Sequence, residues 1–512
     1  MKKQIPFWPI IIALAVFKFF LPFLLQSPVY ELQRDEYLYY QQGQHFDFGY
    51  LENPPLLSYL AMITSAFGNP VFWIKFWPSL FGSLTVIVSC LIAAEFGGKR
   101  FAQFITGLCI STGAFVRVHS LFQPNILDIF FWTLAIYYII RYINADQKKF
   151  LWLFCFSLAL GFWGKYSVVF IAAALILSLL ISRHRKLFTE KKFYLVAFIA
   201  FLFILPNILW QYFHNWPLVH HMQELQETQL RFLNPMDFIK DQILFLIPVI
   251  FVWITGLAWL FKNRQWRFLF FTYFLVIIFL LLGRGKSYYS LGVYPMLLAA
   301  GAVSLEKWSA AKQWFRYAMP VLIIALTLPF IPLLLPVWKP DKLAAFYKSY
   351  GIDKTGLLKW EDRRDHQLPQ DFADMLGWKE LAGKTEQFFS VLPDSTKANT
   401  VIYCRNYGQA GALKFYGRSE YFTGKVISDN GSFLLWVPER LEFRHLLFIG
   451  RRMPGSDDEV FQHFQSAMII DSVTNIYSRQ SGDKIIFFQN ADDEAWPIAN
   501  KILNEKKSQF SR

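Results

Sequence analysis

The segment between residues 26 and 55 lies between long apolar runs and contains the string ELQRDEYLYYQQGQHFDFGYLENPPL, in which cations are few. Its acids are Glu31, Asp35, Glu36, Asp47 and Glu52. Carboxylates near an apolar phase lose hydration and raise one another's pKa, which indicates a partner: a metal ion, a cationic substrate or a proton to accept. Solvation and helix capping are the alternative for any one of them. Asp35 and Glu36, which precede an aromatic run, are the favoured candidates for chemistry.

Cations that could bind an anion are found in other short segments between apolar runs. They are Arg117, Lys165, Arg284 and Lys286. Lys286 is favoured because glycine lets a backbone approach a phosphate and the aromatic side chain of Tyr288 can line an apolar groove. Arg117 is better explained as a side chain that reaches the membrane interface. Asp128, one turn inside an apolar run, either faces the site or is stabilised by the helix dipole.

The composition indicates a chain that is dissolved in a bilayer. Of the 512 residues, 54% are hydrophobic and 19% aromatic, which excludes an ordinary soluble enzyme. The net charge of +14 comes from short basic clusters rather than a long basic face, which excludes nucleic acid as a partner. The apolar runs lie near residues 6–25, 70–94, 101–116, 124–140, 150–182, 193–212, 238–261, 267–282, 289–304 and 317–337.

The run at 150–182 is too long for one span, and Lys165 with its neighbouring glycine predicts a break there. The total is then about eleven membrane helices. The first run lacks a cleavage site and is predicted to be retained. Basic segments such as RHRKLFTEKK and KNRQWR place the N-terminus in the cytoplasm, and the odd count places the C-terminus outside.

A change of composition after Trp338 predicts a second domain. Short apolar runs (NTVIYC, SFLLWV, HLLFIG and KIIFFQN) alternate with polar segments, which is typical of a soluble α/β domain. The predicted organisation is therefore a membrane domain over residues 1–337, with its first outer loop at 26–69, and an extracytoplasmic α/β domain over residues 338–512.

The chain resembles a known group of membrane enzymes in several ordered motifs. RDEYLYY and DFGYLENPPL resemble the first periplasmic loop of bacterial GT-C glycosyltransferases, in the superfamily of protein O-mannosyltransferases and lipid A aminoarabinose transferases. LFQPNILDIFFWTLAIYY, GFWGKYSVVF, LPNILWQYFHNWP, GKSYYSLGVYPMLLAAGAV and NYGQAGALKFYG extend the similarity along the whole chain. The resemblance implies a GT-C fold in the bacterial inner membrane. It also implies inverting transfer of a sugar from a polyprenyl (undecaprenyl) phosphate to an outward-facing lipid, glycan or protein.

The resemblance implies roles for particular residues. Asp35 is the expected base, Asp47 is its rival, and Glu36 is expected to orient Asp35 or the acceptor. The cations named above, with Tyr288 and Asp128, are expected to bind substrate. The aminoarabinose transferases have a lysine before the paired prolines of this loop, whereas this chain has Asn53, so another cation must hold the phosphate and aminoarabinose specificity is in doubt.

The related enzymes also imply a possible divalent metal, Zn or Mg. Glu52 could ligate it together with a histidine from the 211–237 loop, which is His214, His220 or His221.

Two other classes of function compete with a transferase. A transporter or flippase of lipid-linked sugars would place its charges near the bilayer midplane on repeat-related helices, and the sequence shows no such repeat. A scaffold that binds the cell wall would tolerate neutralisation of the loop acids. A substitution at Asp35 therefore separates the three classes.

Overall fold

The computed structural model describes residues 3–67, 70–228, 230–232, 234–455 and 458–511, so residues 68 and 69 of the predicted first outer loop lie outside the described residues. The helices of the first half are α1 (Trp8–Leu25), α2 (Arg34–Gln42), α3 (Leu56–Ser65), α4 (Pro70–Glu95), α5 (Arg100–Ile110), α6 (Ala114–Val118), α7 (Asn125–Ala145), α8 (Lys148–Gly164), α9 (Val168–Leu180) and α10 (Lys191–Phe213). They are followed by α11 (Pro217–Thr228), α12 (Pro235–Leu246), α13 (Ile250–Lys262), α14 (Arg267–Leu282), α15 (Tyr294–Trp308), α16 (Gln313–Thr327) and α17 (Ile331–Leu334).

Each predicted apolar run contains a helix, as expected where lipid leaves backbone groups no partner outside their own segment. The run at 150–182 contains two, because α8 ends at Gly164 and α9 begins at Val168. Seven apolar segments within the described residues are long enough to cross a membrane. The chain is therefore a polytopic membrane protein, and the count of about eleven spans stays a prediction.

The acidic loop folds into a short helix that begins with a capping box. The Gln33 side chain accepts from the Asp35 backbone N–H, and Glu36 accepts from the Gln33 backbone N–H over 2.7 Å. The helix, α2, ends at Gln42 and is followed by the capping residue Gly43. A Cβ there would lie 2.7 Å from the Cβ of Ala61, so glycine is what allows α2 to pack against α3.

The C-terminal region forms a small mixed sheet with helices around it. Its helices are α18 (Pro340–Ser349), α19 (Gln370–Ala373), α20 (Trp378–Val391), α21 (Asp394–Ala398), α22 (Tyr407–Tyr416), α23 (Glu420–Gly424), α24 (Glu459–Gln462) and α25 (Ala495–Ser508). Its strands are β1 (Thr400–Cys404), β2 (Val426–Ile427), β3 (His445–Gly450), β4 (Phe464–Ser472) and β5 (Lys484–Ala491). The strand order is β2-β1-β3-β5-β4, with β1 parallel to β2 and β3, and with β5 antiparallel to β3 and β4.

Three of the four predicted strand-like runs are strands, namely those of β1, β3 and β5. The prediction for SFLLWV is wrong, because this segment lies in a 3-10 helix over Gly431–Trp436. Its apolar side chains Phe433 and Leu434 are buried, and a short apolar run of this kind does not by itself distinguish a strand from a buried helical turn.

The first outer loop and the C-terminal region share one hydrophobic core. Tyr37 of α2 is fully buried and makes edge-on ring contacts with Trp378, Phe415 and Tyr416 of the C-terminal region. The same core includes Leu38 and residues of the sheet. The C-terminal region therefore packs directly on the helix that carries the candidate catalytic acids.

Candidate active site

A cavity of about 860 Å³ lies between α2, the end of α8, helix α11, the segment before α15 and the C-terminal region. Its polar wall includes Gln33, Arg34, Asp35, Glu52, Asn53, Arg117, Gln123, Asn125, Lys165, Lys286, Tyr288, Tyr289, Asp371, Asp374 and Tyr407. Its apolar wall includes Ala114, Val118, Phe170, Leu218, Met222, Leu225, Leu230, Phe245, Leu291 and Leu334. A ligand with a charged head and a hydrocarbon chain matches this division.

Asp35 lies on the polar wall with one carboxylate oxygen held by the protein. Its Oδ1 accepts hydrogen bonds from the Tyr407 hydroxyl over 2.8 Å and from Arg34 Nε over 3.2 Å. Its Oδ2 accepts only a long bond of 3.3 Å, from Gln123 Nε2, among the described residues. The side chain keeps 23% of its surface exposed, so Oδ2 can receive a proton from a bound molecule.

The surroundings of Asp35 favour its ionised form. Burial acts to raise the pKa of the carboxyl, but the charge of Arg34, hydrogen bonds from Tyr407 and Arg34, and the charge of Lys286 outweigh burial and lower the pKa. Asp35 is therefore ionised at neutral pH, as a base must be.

Two lysines on the same wall, Lys165 and Lys286, can contact a bound anion. Lys165 Nζ donates to Asn125 Oδ1 over 2.6 Å and lies 3.7 Å from the ring centroid of Tyr289. Lys286 has no hydrogen-bond or ion-pair partner in the described part of the chain, although its charge acts on Asp35 and Lys165. Among the described residues, Lys286 is thus the cation of this wall whose ammonium has no hydrogen-bond partner and is available to an anion.

Glu36 lies away from the cavity in a buried ion pair. It is fully buried, and its oxygens accept from Lys75 Nζ over 2.6 and 2.8 Å, from the Phe122 N–H and from the Gln33 N–H. These contacts fix the start of α2 against α4 and the α6–α7 connection. Glu36 therefore holds the start of the helix that carries Asp35.

Glu52 and His214 do not form a metal site with the residues described. The Glu52 carboxylate accepts from the Ser432 backbone N–H over 2.7 Å and from Gln42 Nε2 over 3.0 Å, and it also binds the Ser432 hydroxyl. His214 stacks on Trp210 and shares a hydrogen bond with its carbonyl oxygen. No group of three or more His, Cys, Asp or Glu side chains that could hold a metal ion is found among the described residues.

Of the four remaining predicted residues, one lines the cavity, one is buried near Lys165 and two lie outside the cavity wall. Arg117 lines the cavity but forms an ion pair of 2.9 Å with Asp371. Asp128 is buried, and its charge interacts with that of Lys165. Asp47 and Arg284 do not line the cavity, and Arg284 is exposed.

Several cavity residues were not predicted because they come from the C-terminal region. Asp374 lies on the wall and is only 1% exposed, and its Oδ2 is 3.1 Å from Arg479 Nη1. Burial raises its pKa to about 6, with Asp35 and Asp371 acting in the same direction against the charges of Arg34 and Arg479. The one available signal was the motif NYGQAGALKFYG, which contains the wall residue Tyr407.

Comparisons with known proteins identify the fold. The family model for dolichyl-phosphate-mannose-protein mannosyltransferases matches residues 52–210. ArnT from Cupriavidus metallidurans bound to undecaprenyl phosphate superposes with a TM-score of 0.64 at 13% sequence identity, covering 94% of this chain and 97% of that chain. The chain has the GT-C fold. The predicted fold class and the predicted resemblance are thereby confirmed.

Two further GT-C structures are similar to this chain. The apo state of the same ArnT gives a TM-score of 0.60 at 14% identity over 94% of this chain and 97% of that chain. The apo form of the Archaeoglobus fulgidus oligosaccharyltransferase gives 0.50 at 13% identity over 86% of this chain and 69% of that chain. A comparison with curated protein sequences finds no match. At these identities the likeness is one of fold.

Proposed function

We propose that the protein is an inverting membrane glycosyltransferase that moves a sugar from undecaprenyl phosphate to an outward-facing lipid, glycan or protein. The observation that carries this proposal is one cavity that holds an ionised carboxylate, Asp35, beside the cations Lys165 and Lys286 and continues into an apolar wall. The ArnT structure with bound undecaprenyl phosphate supports the choice of donor class.

The arrangement suits displacement at an anomeric carbon. Asp35 Oδ2 takes the proton of the acceptor hydroxyl while the acceptor's oxygen forms a bond to the anomeric carbon. The bond from that carbon to the phosphate oxygen breaks at the same time. The lipid phosphate departs with the electron pair, and Lys286 and Lys165 stabilise its charge. A polyprenyl phosphate is already a good leaving group, so the reaction needs no strong general acid.

Release of the carrier lipid tests the proposal. Purified protein in nanodiscs is incubated with undecaprenyl phosphate linked to glucose, mannose, galactose or aminoarabinose, together with an envelope lipid extract as the acceptor source. Mass spectrometry should detect free undecaprenyl phosphate and a glycosylated acceptor for at least one donor. Movement of an intact donor across a vesicle bilayer without its cleavage would instead support a flippase.

Replacement of Lys286 by alanine is expected to weaken binding of the donor phosphate. A lost charge-assisted contact corresponds to about 1–3 kcal/mol, which is roughly a 5- to 150-fold rise in Kd. Titration of the purified protein with undecaprenyl phosphate measures the change. Arg284→Ala is the matched control, because Arg284 lies two residues away but is exposed and does not line the cavity. Unchanged affinity in Lys286→Ala would indicate that Lys165, and not Lys286, contacts the phosphate.

The proposed site must face away from the cytoplasm, with the N-terminus inside and the C-terminal region in the periplasm. A phosphatase reporter fused after Trp338 should then be active, because that enzyme matures only outside the cytoplasm. The same reporter inserted in the basic segment at 183–192 should be inactive. The reverse pattern would place the cavity on the cytoplasmic face and contradict the proposed topology.

A further inference from the structure

Helix α22, which carries the NYGQAG motif, lies against α2 at unusually short distance. A Cβ on Gly408 would lie 2.6 Å from Arg34 Cγ, and one on Gly411 would lie 2.8 Å from Tyr37 Cβ. Only glycine at these two positions lets the helices meet without displacement. The two glycines are three residues apart, so they face the same side of α22.

The start of α22 is also fixed by contacts within the C-terminal region. Asn406 caps it in a capping box with Gln409, and the Tyr407 backbone N–H donates to Asn430 Oδ1 over 3.2 Å. The guanidinium of Arg34 lies 5.4 Å from the centroid of the Tyr407 ring. Tyr407 therefore has contacts at its backbone and at its ring, and its hydroxyl donates to Asp35 Oδ1 over 2.8 Å.

We infer that Tyr407 is a positioning residue for the base: its hydroxyl binds Asp35 Oδ1 and so turns Oδ2 toward the acceptor. This inference rests on the proposed function and extends it to the C-terminal region, which then completes the active site. It also explains the glycines of NYGQAG as the residues that bring Tyr407 close enough to reach Asp35.

Loss of the Tyr407 hydroxyl should change the pH dependence of the reaction. The charged and titratable groups that act on Asp35 are Arg34 and Tyr39 on α2, Lys286 before α15, and Asp374 and Tyr407 from the C-terminal region. A hydrogen bond to the ionised carboxylate lowers its pKa, so removal of the Tyr407 hydroxyl raises it. Activity that requires ionised Asp35 should then be lost at a higher pH than in the wild type.

The test compares Tyr407→Phe with Tyr416→Phe in the full chain. Tyr416 lies on the same helix, but its hydroxyl pairs with that of Tyr37 at 3.0 Å rather than with Asp35. Infrared titration of each purified protein follows the carbonyl band of protonated Asp35, identified by its absence in Asp35→Asn. We expect the midpoint to rise by about one pH unit in Tyr407→Phe and to stay unchanged in Tyr416→Phe.

Turnover supplies the second measurement. With the best donor from the panel above, the activity of Tyr407→Phe should fall with decreasing pH at a midpoint about one pH unit higher than that of Tyr416→Phe. An unchanged midpoint, or an equal loss in both variants, would overturn the inference. Absence of turnover in the wild type with every donor would instead contradict the proposed function, and the infrared midpoints would still report whether Tyr407 controls Asp35.

Discussion

Asp35→Asn is expected to remove most of the transferase activity while the protein still folds and binds undecaprenyl phosphate. The amide has nearly the shape of the carboxylate but cannot accept the acceptor's proton, and a general base typically contributes 10²- to 10⁴-fold in rate. Single-turnover release of undecaprenyl phosphate measures the loss. Unchanged Kd for the same lipid shows that the cavity is intact.

Asp47→Asn is the matched control for this prediction. Asp47 belongs to the same acidic loop, but its carboxylate accepts from the neighbouring Phe48 N–H over 2.7 Å and does not line the cavity. We therefore expect Asp47→Asn to keep full activity. Loss of activity in Asp47→Asn with full activity in Asp35→Asn would assign the base to Asp47. Full activity in both variants would contradict catalysis by this loop and support a transporter.

The sequence was informative wherever a local signal existed. Hydrophobic runs predicted the membrane helices, and Lys165 with its neighbouring glycine predicted the break between α8 and α9. The polar residues singled out between the apolar runs include several that line the cavity, among them Asp35 and Lys286. Both patterns have one physical origin: lipid makes charged groups costly, so charges concentrate where the backbone leaves the membrane.

Contacts between distant segments had no such signal. Tyr407 and Asp35 are separated by 372 residues, and the spacing of the two glycines on α22 becomes meaningful only when α2 is seen against them. The role of Glu36 was hidden for the same reason. The acidic residues around Glu36 suggested a catalytic role. Its ion-pair partner Lys75 lies in an apolar run, where nothing in the sequence indicates which residue a single lysine pairs with.

Lys75→Met is expected to lower the stability of the protein far more than the loss of an exposed ion pair would. Glu36 is fully buried and Lys75 is 15% exposed, so removal of the ammonium leaves a carboxylate in an apolar environment with only backbone N–H partners. Breaking a buried ion pair in this way typically costs about 3–5 kcal/mol. Thermal unfolding in detergent, followed by tryptophan fluorescence, should show a clearly lower midpoint.

Lys240→Met makes the same chemical change at an exposed pair and serves as the control. Lys240 and Asp237 are 67% and 63% exposed and 3.3 Å apart, so their separation should cost at most about 1 kcal/mol. Adding Glu36→Gln to Lys75→Met should recover part of the lost stability, because the unpaired charge is removed. If Lys75→Met were as mild as Lys240→Met, Glu36 would not depend on this ion pair. The start of α2, and with it Asp35, would then be held mainly by the capping box and the shared core.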